Sequence, residues 1–159
     1  MEYGTFVNIL RDTLNIKNSV LEQLLEVTRI QENALSVSPP NMEEFEQVFQ
    51  KKEVLIEQLG KLDDGFERIY EHVREELANN PNLHQEEILE LQKLIREITE
   101  KSTEIQSLEI QNRNKVEAYF NGQRKEIKQF KINRRTASSY YKNMADQHYG
   151  ESYFYDKKN

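Results

Sequence analysis

Apolar residues recur at alternating three- and four-residue spacing along most of the first 120 residues, and two proline-bearing stretches divide them into three runs. That spacing is the period of a coiled-coil seam, so the chain is restricted to long helices that share one apolar face each. The first divider is Ser38-Pro39-Pro40-Asn41. Its prolines remove two backbone donors and disfavour helix in the residues before them. Asn41 is then placed to cap a new helix, with Glu44 closing a capping box. The second divider is Asn79-Asn80-Pro81-Asn82, with Asn82 as the expected cap and Gln85 closing its box. Both connections are short, and short connections between long helices force antiparallel neighbours.

The first run predicts a helix over about 5–37, with the stripe Val7, Leu10, Leu14, Lys17, Leu21, Leu24, Thr28, Gln31, Leu35. The second predicts a helix over about 42–78, with Phe45, Val48, Lys52, Leu55, Leu59, Leu62, Phe66, Ile69, Val73. Gly60 and Gly65 each cost roughly 1 kcal/mol relative to alanine in a helix. The phase is unbroken on both sides of them, which favours a continuous helix over a turn at Asp63-Asp64-Gly65. Lys17 and Lys52 interrupt the stripes; they are expected to snorkel from an open seam, and such interruptions also fix register.

The third run predicts a helix over about 83–130, with Ile88, Leu91, Ile95, Ile98, Ser102, Ile105, Glu109, Asn112, Val116 and Tyr119 in its stripe. At 1.5 Å per residue the three helices are about 50, 55 and 70 Å long. The third therefore outruns its partners, and its apolar face past about Val116 is expected to lack a neighbour. The stretch 106–114 is polar where the stripe should continue, which reads as a solvated helix middle or as a partner-facing surface. The expected architecture is all-α: an elongated, antiparallel, up-down-up three-helix bundle over 1–130 with coiled-coil-like seams. A tail, 131–159, follows. It is expected to be partly helical, and it holds five of the eight tyrosines, including Tyr140 and Tyr141, alongside Met144 and Phe154. Disordered tails are usually poor in aromatics, so such a segment reads as one with a surface to dock on.

Several function classes drop out. Cysteine is absent, which removes disulfide scaffolds, thiolate metal sites and cysteine nucleophiles. No apolar run exceeds three residues, so no membrane-spanning helix or signal-peptide core is expected, and the expected location is the cytoplasm. Residues 121–159 hold nine Lys/Arg and four Asp/Glu, a balance of +5. The remaining thirteen and twenty-four leave −11 for residues 1–120, a body that repels nucleic acid and anionic membrane. The basic stretch 124–135 reads as a solvated helix end, with RNA or lipid headgroups as the alternative contact. His72, His84 and His148 are far apart, none follows a glutamate by three residues, and Gly60-Lys61 lacks the rest of a phosphate loop. The expectation is a protein that is not an enzyme and carries no cofactor and no metal. Physical reasoning alone ends at an elongated helical binding protein, and its seams also allow a homo-oligomer.

Three stretches carry a family resemblance: 21–32 (LEQLLEVTRIQE), 44–59 (EFEQVFQKKEVLIEQL) and 105–116 (IQSLEIQNRNKV), with the tail segment 139–144 (SYYKNM). With them the chain resembles flagellar type III export chaperones of the FlgN class; the FliT class of filament-cap chaperones is similar in size, charge and helical makeup. The resemblance implies a cytoplasmic chaperone that holds hook–filament junction proteins unassembled and delivers them to the export gate and export ATPase. It also implies that the C-terminal part grips the client. Carried onto this sequence, that points to Val116, Tyr119, Phe120, Ile127 and Phe130, with Tyr140, Tyr141 and Met144 as a weaker extension. Asn112 joins them as an amide among apolar anchors.

Overall fold

The computed structural model describes residues 3–122, and among them every element is helical. Helix α1 spans Tyr3–Leu35, α2 Met42–Gln47, α3 Phe49–Asn79 and α4 Gln85–Asn121, with a 3-10 turn over Pro81–His84 before α4. The part of the expected third helix beyond residue 122, the tail 131–159 and the basic stretch 124–135 lie outside the described residues.

Side-chain pairs fix direction and register. Arg11 reaches Glu90 at 3.5 Å, Asn18 donates to Glu97 at 3.3 Å and Thr28 meets Glu109 at 3.3 Å, so α1 and α4 run parallel with an offset of about eighty residues. Phe6 stacks on His72 at 4.9 Å, Lys17 pairs with Asp63 at 2.7 Å and Lys52 donates to Gln31 at 2.9 Å, so α3 runs antiparallel to α1. This is the expected up-down-up bundle. α1 lies at its centre: it packs against both long partners, while no Cα of α3 comes within 8 Å of a Cα of α4. The wider buried face of α1, which adds Val20, Leu25, Val27 and Ala34 to its stripe, follows from having two neighbours.

All nine stripe positions of α1 are buried. In α4 the buried set runs without a break through Leu91, Ile95, Ile98, Ser102, Ile105, Glu109, Asn112, Val116 and Phe120. α3 is continuous through Gly60 and Gly65, where an added Cβ would meet no neighbouring atom within 4 Å outside the local helix backbone. Its face departs from expectation at two steps, where Asp63 and Tyr70 are buried and Leu62 and Ile69 only half-buried, and Val48 is half-buried as well. The Lys17 ammonium supplies the reason at the first step, since it holds the Asp63 carboxylate inside the bundle.

Two local expectations are corrected. The second helix is interrupted at Val48, whose N–H turns to the Glu46 carbonyl. The Phe45 carbonyl, the acceptor an unbroken helix would offer to residue 49, accepts instead from the Gln31 side chain at 3.2 Å. Asn82 does not cap the third helix: it lies inside the 3-10 turn, and α4 begins without a side-chain cap. The first capping site does form, with Asn41 Oδ1 accepting from the Glu44 N–H at 3.1 Å. The Glu44 carboxylate meets the Asn41 side-chain amide, because the Asn41 backbone N–H already donates to the Ala34 carbonyl at 2.8 Å.

Candidate functional site

The buried apolar residues form two clusters. The larger fills the middle of the bundle and the end where α1 begins, from Val7 and Val73 through Leu24, Leu55 and Ile105. The smaller closes the other end, where the α1–α2 corner meets the last turns of α4: Ala34, Leu35, Phe45, Val116 and Phe120, flanked by Met42, Phe49 and Tyr119. Phe45 meets Phe49 edge-on at 5.1 Å, and Tyr119 meets Phe120 at 5.5 Å.

Between the clusters lies a layer of buried polar side chains from three helices: Thr28 and Gln31 of α1, Lys52 of α3, and Glu109 and Asn112 of α4. The Lys52 ammonium contacts the Glu109 carboxylate and donates to Gln31 Oε1. Gln31 passes the connection on to the Phe45 carbonyl. The Thr28 hydroxyl donates to the Leu24 carbonyl at 2.8 Å, and Asn112 Nδ2 donates to the Thr28 carbonyl at 3.3 Å. Asn112 Oδ1 is buried with no hydrogen-bond partner, as is Ser102 Oγ. Buried polar atoms are nearly always paired, so an orphan acceptor marks a local cost of about 1–3 kcal/mol. Burial pulls the Lys52 ammonium down from 10.5 to about 7.

Both stripe lysines therefore differ from expectation. Lys17 and Lys52 do not snorkel from an open seam; each is buried and paired with a carboxylate of another helix. The wide α3–α4 spacing leaves room that a long ammonium side chain spans. The stretch 106–114 is likewise neither wholly solvated nor wholly surface, because Glu109 and Asn112 carry the stripe inward.

The sequence-derived site residues divide three ways. Asn112, Val116 and Phe120 are buried, at 2%, 3% and 4% exposure. As far as the described residues reach, the face expected to be bare past Val116 is covered, by Ala34, Leu35 and Phe45. Tyr119 is half-buried and lines an open groove of about 560 Å³ with Leu35, Ser36, Pro40, Lys115 and Ala118. Ile127, Phe130, Tyr140, Tyr141 and Met144 lie outside the described residues. Sequence reasoning missed the corner side of this end, Leu35 and Phe45 as partners of Val116 and Phe120. The signal was available in their stripe positions, but not in which helix they would face.

His72 stacks on Phe6, and His84 lies 3.5 Å from Glu76 beside the 3-10 turn. No helix among the described residues is long and apolar enough to cross a membrane. Among known proteins, the family model described as FlgN protein matches residues 1–144. No curated protein and no solved structure matches the chain.

Proposed function

Because this chain belongs to the FlgN family of flagellar export chaperones, we propose that it serves hook–filament junction proteins in the cytoplasm. It holds them unassembled and delivers them to the export gate and export ATPase. The family match over residues 1–144 is the observation that carries this reading. The bundle supports it in kind, since its stripes are spent on its own core and one end closes on a small apolar cluster behind a polar layer.

The client site belongs at that end in this reading, around Asn112, Val116, Tyr119 and Phe120. Ile127, Phe130, Tyr140, Tyr141 and Met144 extend it further along the sequence. A disordered client end that folds as a helix into an apolar groove fits such a surface. Each well-buried anchor contributes roughly 1.5–3 kcal/mol gross, and ordering the client costs roughly 2–5 kcal/mol or more. A handful of anchors then supports micromolar or tighter binding that still permits release. The stripes are covered within one chain, so self-association through them is not needed for folding.

Calorimetric titration tests the reading. The C-terminal segments of the host's hook–filament junction proteins are titrated into the 159-residue chain and into a chain ending at Gly122. Binding in the micromolar range or tighter to either is expected. Binding to neither, with the filament-cap protein's C-terminal segment binding instead, makes the filament-cap protein the client. Binding of none of these segments rejects the proposed clients.

A further inference from the structure

We propose that the α1–α2 corner is an acceptor surface for an amphipathic helix of the client, and that the last turns of α4 occupy it until a client helix displaces them. This rests on the chaperone reading above and concerns how its site works.

The chain itself shows what fits the corner. Val116 and Phe120 lie one helical turn apart on α4 and are buried against Ala34, Leu35 and Phe45, with Tyr119 beside them. The matching partner is a helix with apolar side chains at the same i, i+3, i+4 spacing.

The corner is held by bonds that do not involve α4. The Asn41 N–H donates to the Ala34 carbonyl at 2.8 Å, the Gln31 amide donates to the Phe45 carbonyl at 3.2 Å, and Asn41 caps α2. The surface therefore keeps its shape when α4 leaves. The earlier part of α4 stays anchored by Ile95, Ile98 and Ile105, by Glu90 on Arg11, and by Glu97 and Lys101 on Asn18.

The polar layer makes the two parts of α4 separable. The apolar contacts of Val116 and Phe120 are not continuous with the main core. Opening at this layer returns Lys52 and Glu109 to water and gives the orphan Asn112 Oδ1 a partner. The groove along Leu35, Pro40, Ala118 and Tyr119 already opens the rim of the cluster to solvent, which gives a client helix its point of entry.

The test turns on a sign. If Val116 and Phe120 are placeholders, the double substitution V116A/F120A empties the corner. A binding-competent state that is fractionally populated weakens apparent affinity by that fraction, so emptying the corner tightens binding of the junction-protein segments, by about tenfold. Phe45→Ala, on the acceptor side, weakens it by about tenfold or more. Weaker binding to V116A/F120A overturns the proposal, because those residues then grip the client directly.

Hydrogen exchange on the 159-residue chain is read in parallel and needs no client. Amides 111–120 are expected to open as a unit with less protection than amides 91–105, and the corner amides of Asn41 and Phe45 are expected to stay protected in V116A/F120A. Equal protection along α4, or loss of the corner with its α4 contacts, overturns the proposal. Absence of binding by the wild-type chain and V116A/F120A alike sinks the proposed clients, and the corner's helix acceptor role with them. Binding by wild type with the wrong sign in the variant sinks the placeholder alone.

Discussion

The two ends of this bundle are built from the same heptad pattern and close differently. The main cluster buries nineteen apolar residues and tolerates one ion pair, Lys17–Asp63, inside it. The far cluster buries five and is cut off by a polar layer centred on Lys52 and Glu109. Equal spacing in sequence therefore does not mean equal cohesion. A polar residue at a stripe position interrupts the core by an amount set by its neighbours. Lys17 has aliphatic layers on both sides, Leu14 and Leu21, whereas Lys52 has Leu55 on one side and only the thin end cluster on the other.

The sharpest way to break this contrast is to orphan one charge of the polar layer. Glu109→Leu leaves the Lys52 ammonium buried without its carboxylate, and chemical denaturation at about pH 6, where Lys52 keeps its proton, is expected to show a loss of about 3–5 kcal/mol. Lys52→Met added to it is expected to recover most or all of that loss, since apolar replacement of a whole buried pair is commonly neutral or stabilising. A double variant as unstable as the single one would show that the layer holds the bundle together.

Cavities come next. Ile98→Ala in the main cluster is expected to cost about 2–5 kcal/mol and to lower hydrogen-exchange protection throughout. Val116→Ala is expected to cost about 1–2 kcal/mol, with its effect on exchange confined to the far end. Equal spread of the two effects would erase the distinction between the clusters.

A graded effect comes from pH. Between about 7 and 10.5 the unfolded chain holds a proton on Lys52 that the folded chain has shed. Stability is therefore expected to rise with pH through that window, by at most about 1.4 kcal/mol per unit, and to be insensitive to this group below it. Lys52→Met is expected to remove that slope, as read from denaturation midpoints at pH 7, 8 and 9. The smallest change expected is at the surface. Arg29→Ala breaks the exposed pair with Glu104 and is expected to shift stability by about 1 kcal/mol or less.

Much of the fold was legible. The stripe of α1 named only buried residues and that of α4 mostly so, because a helix in a bundle has a face to bury and its period exposes that face; the added width of α1, as at Val20, was not legible. The α3 face was misread by one residue at Leu62 and Ile69, since an apolar count cannot favour Asp63 over a leucine. The Val48 interruption was hidden for a similar reason: it follows from a hydrogen bond between Gln31 and Phe45, fourteen residues apart in sequence. Of the candidate site, Asn112, Val116 and Tyr119 were legible as stripe members and Phe120 through the family resemblance, but the corner they meet was not.

The residues alone determined the helical class, the two dividers, the up-down-up order and most of the apolar positions that turn inward, because period and proline placement are local properties of the chain. The family likeness was also legible there. Only the packed structure decided that Lys17 and Lys52 are buried, that α1 is the central helix and that α4's last turns lie on the α1–α2 corner. Those outcomes depend on which charge and which apolar face meet across helices, and a one-dimensional pattern carries each face without its partner.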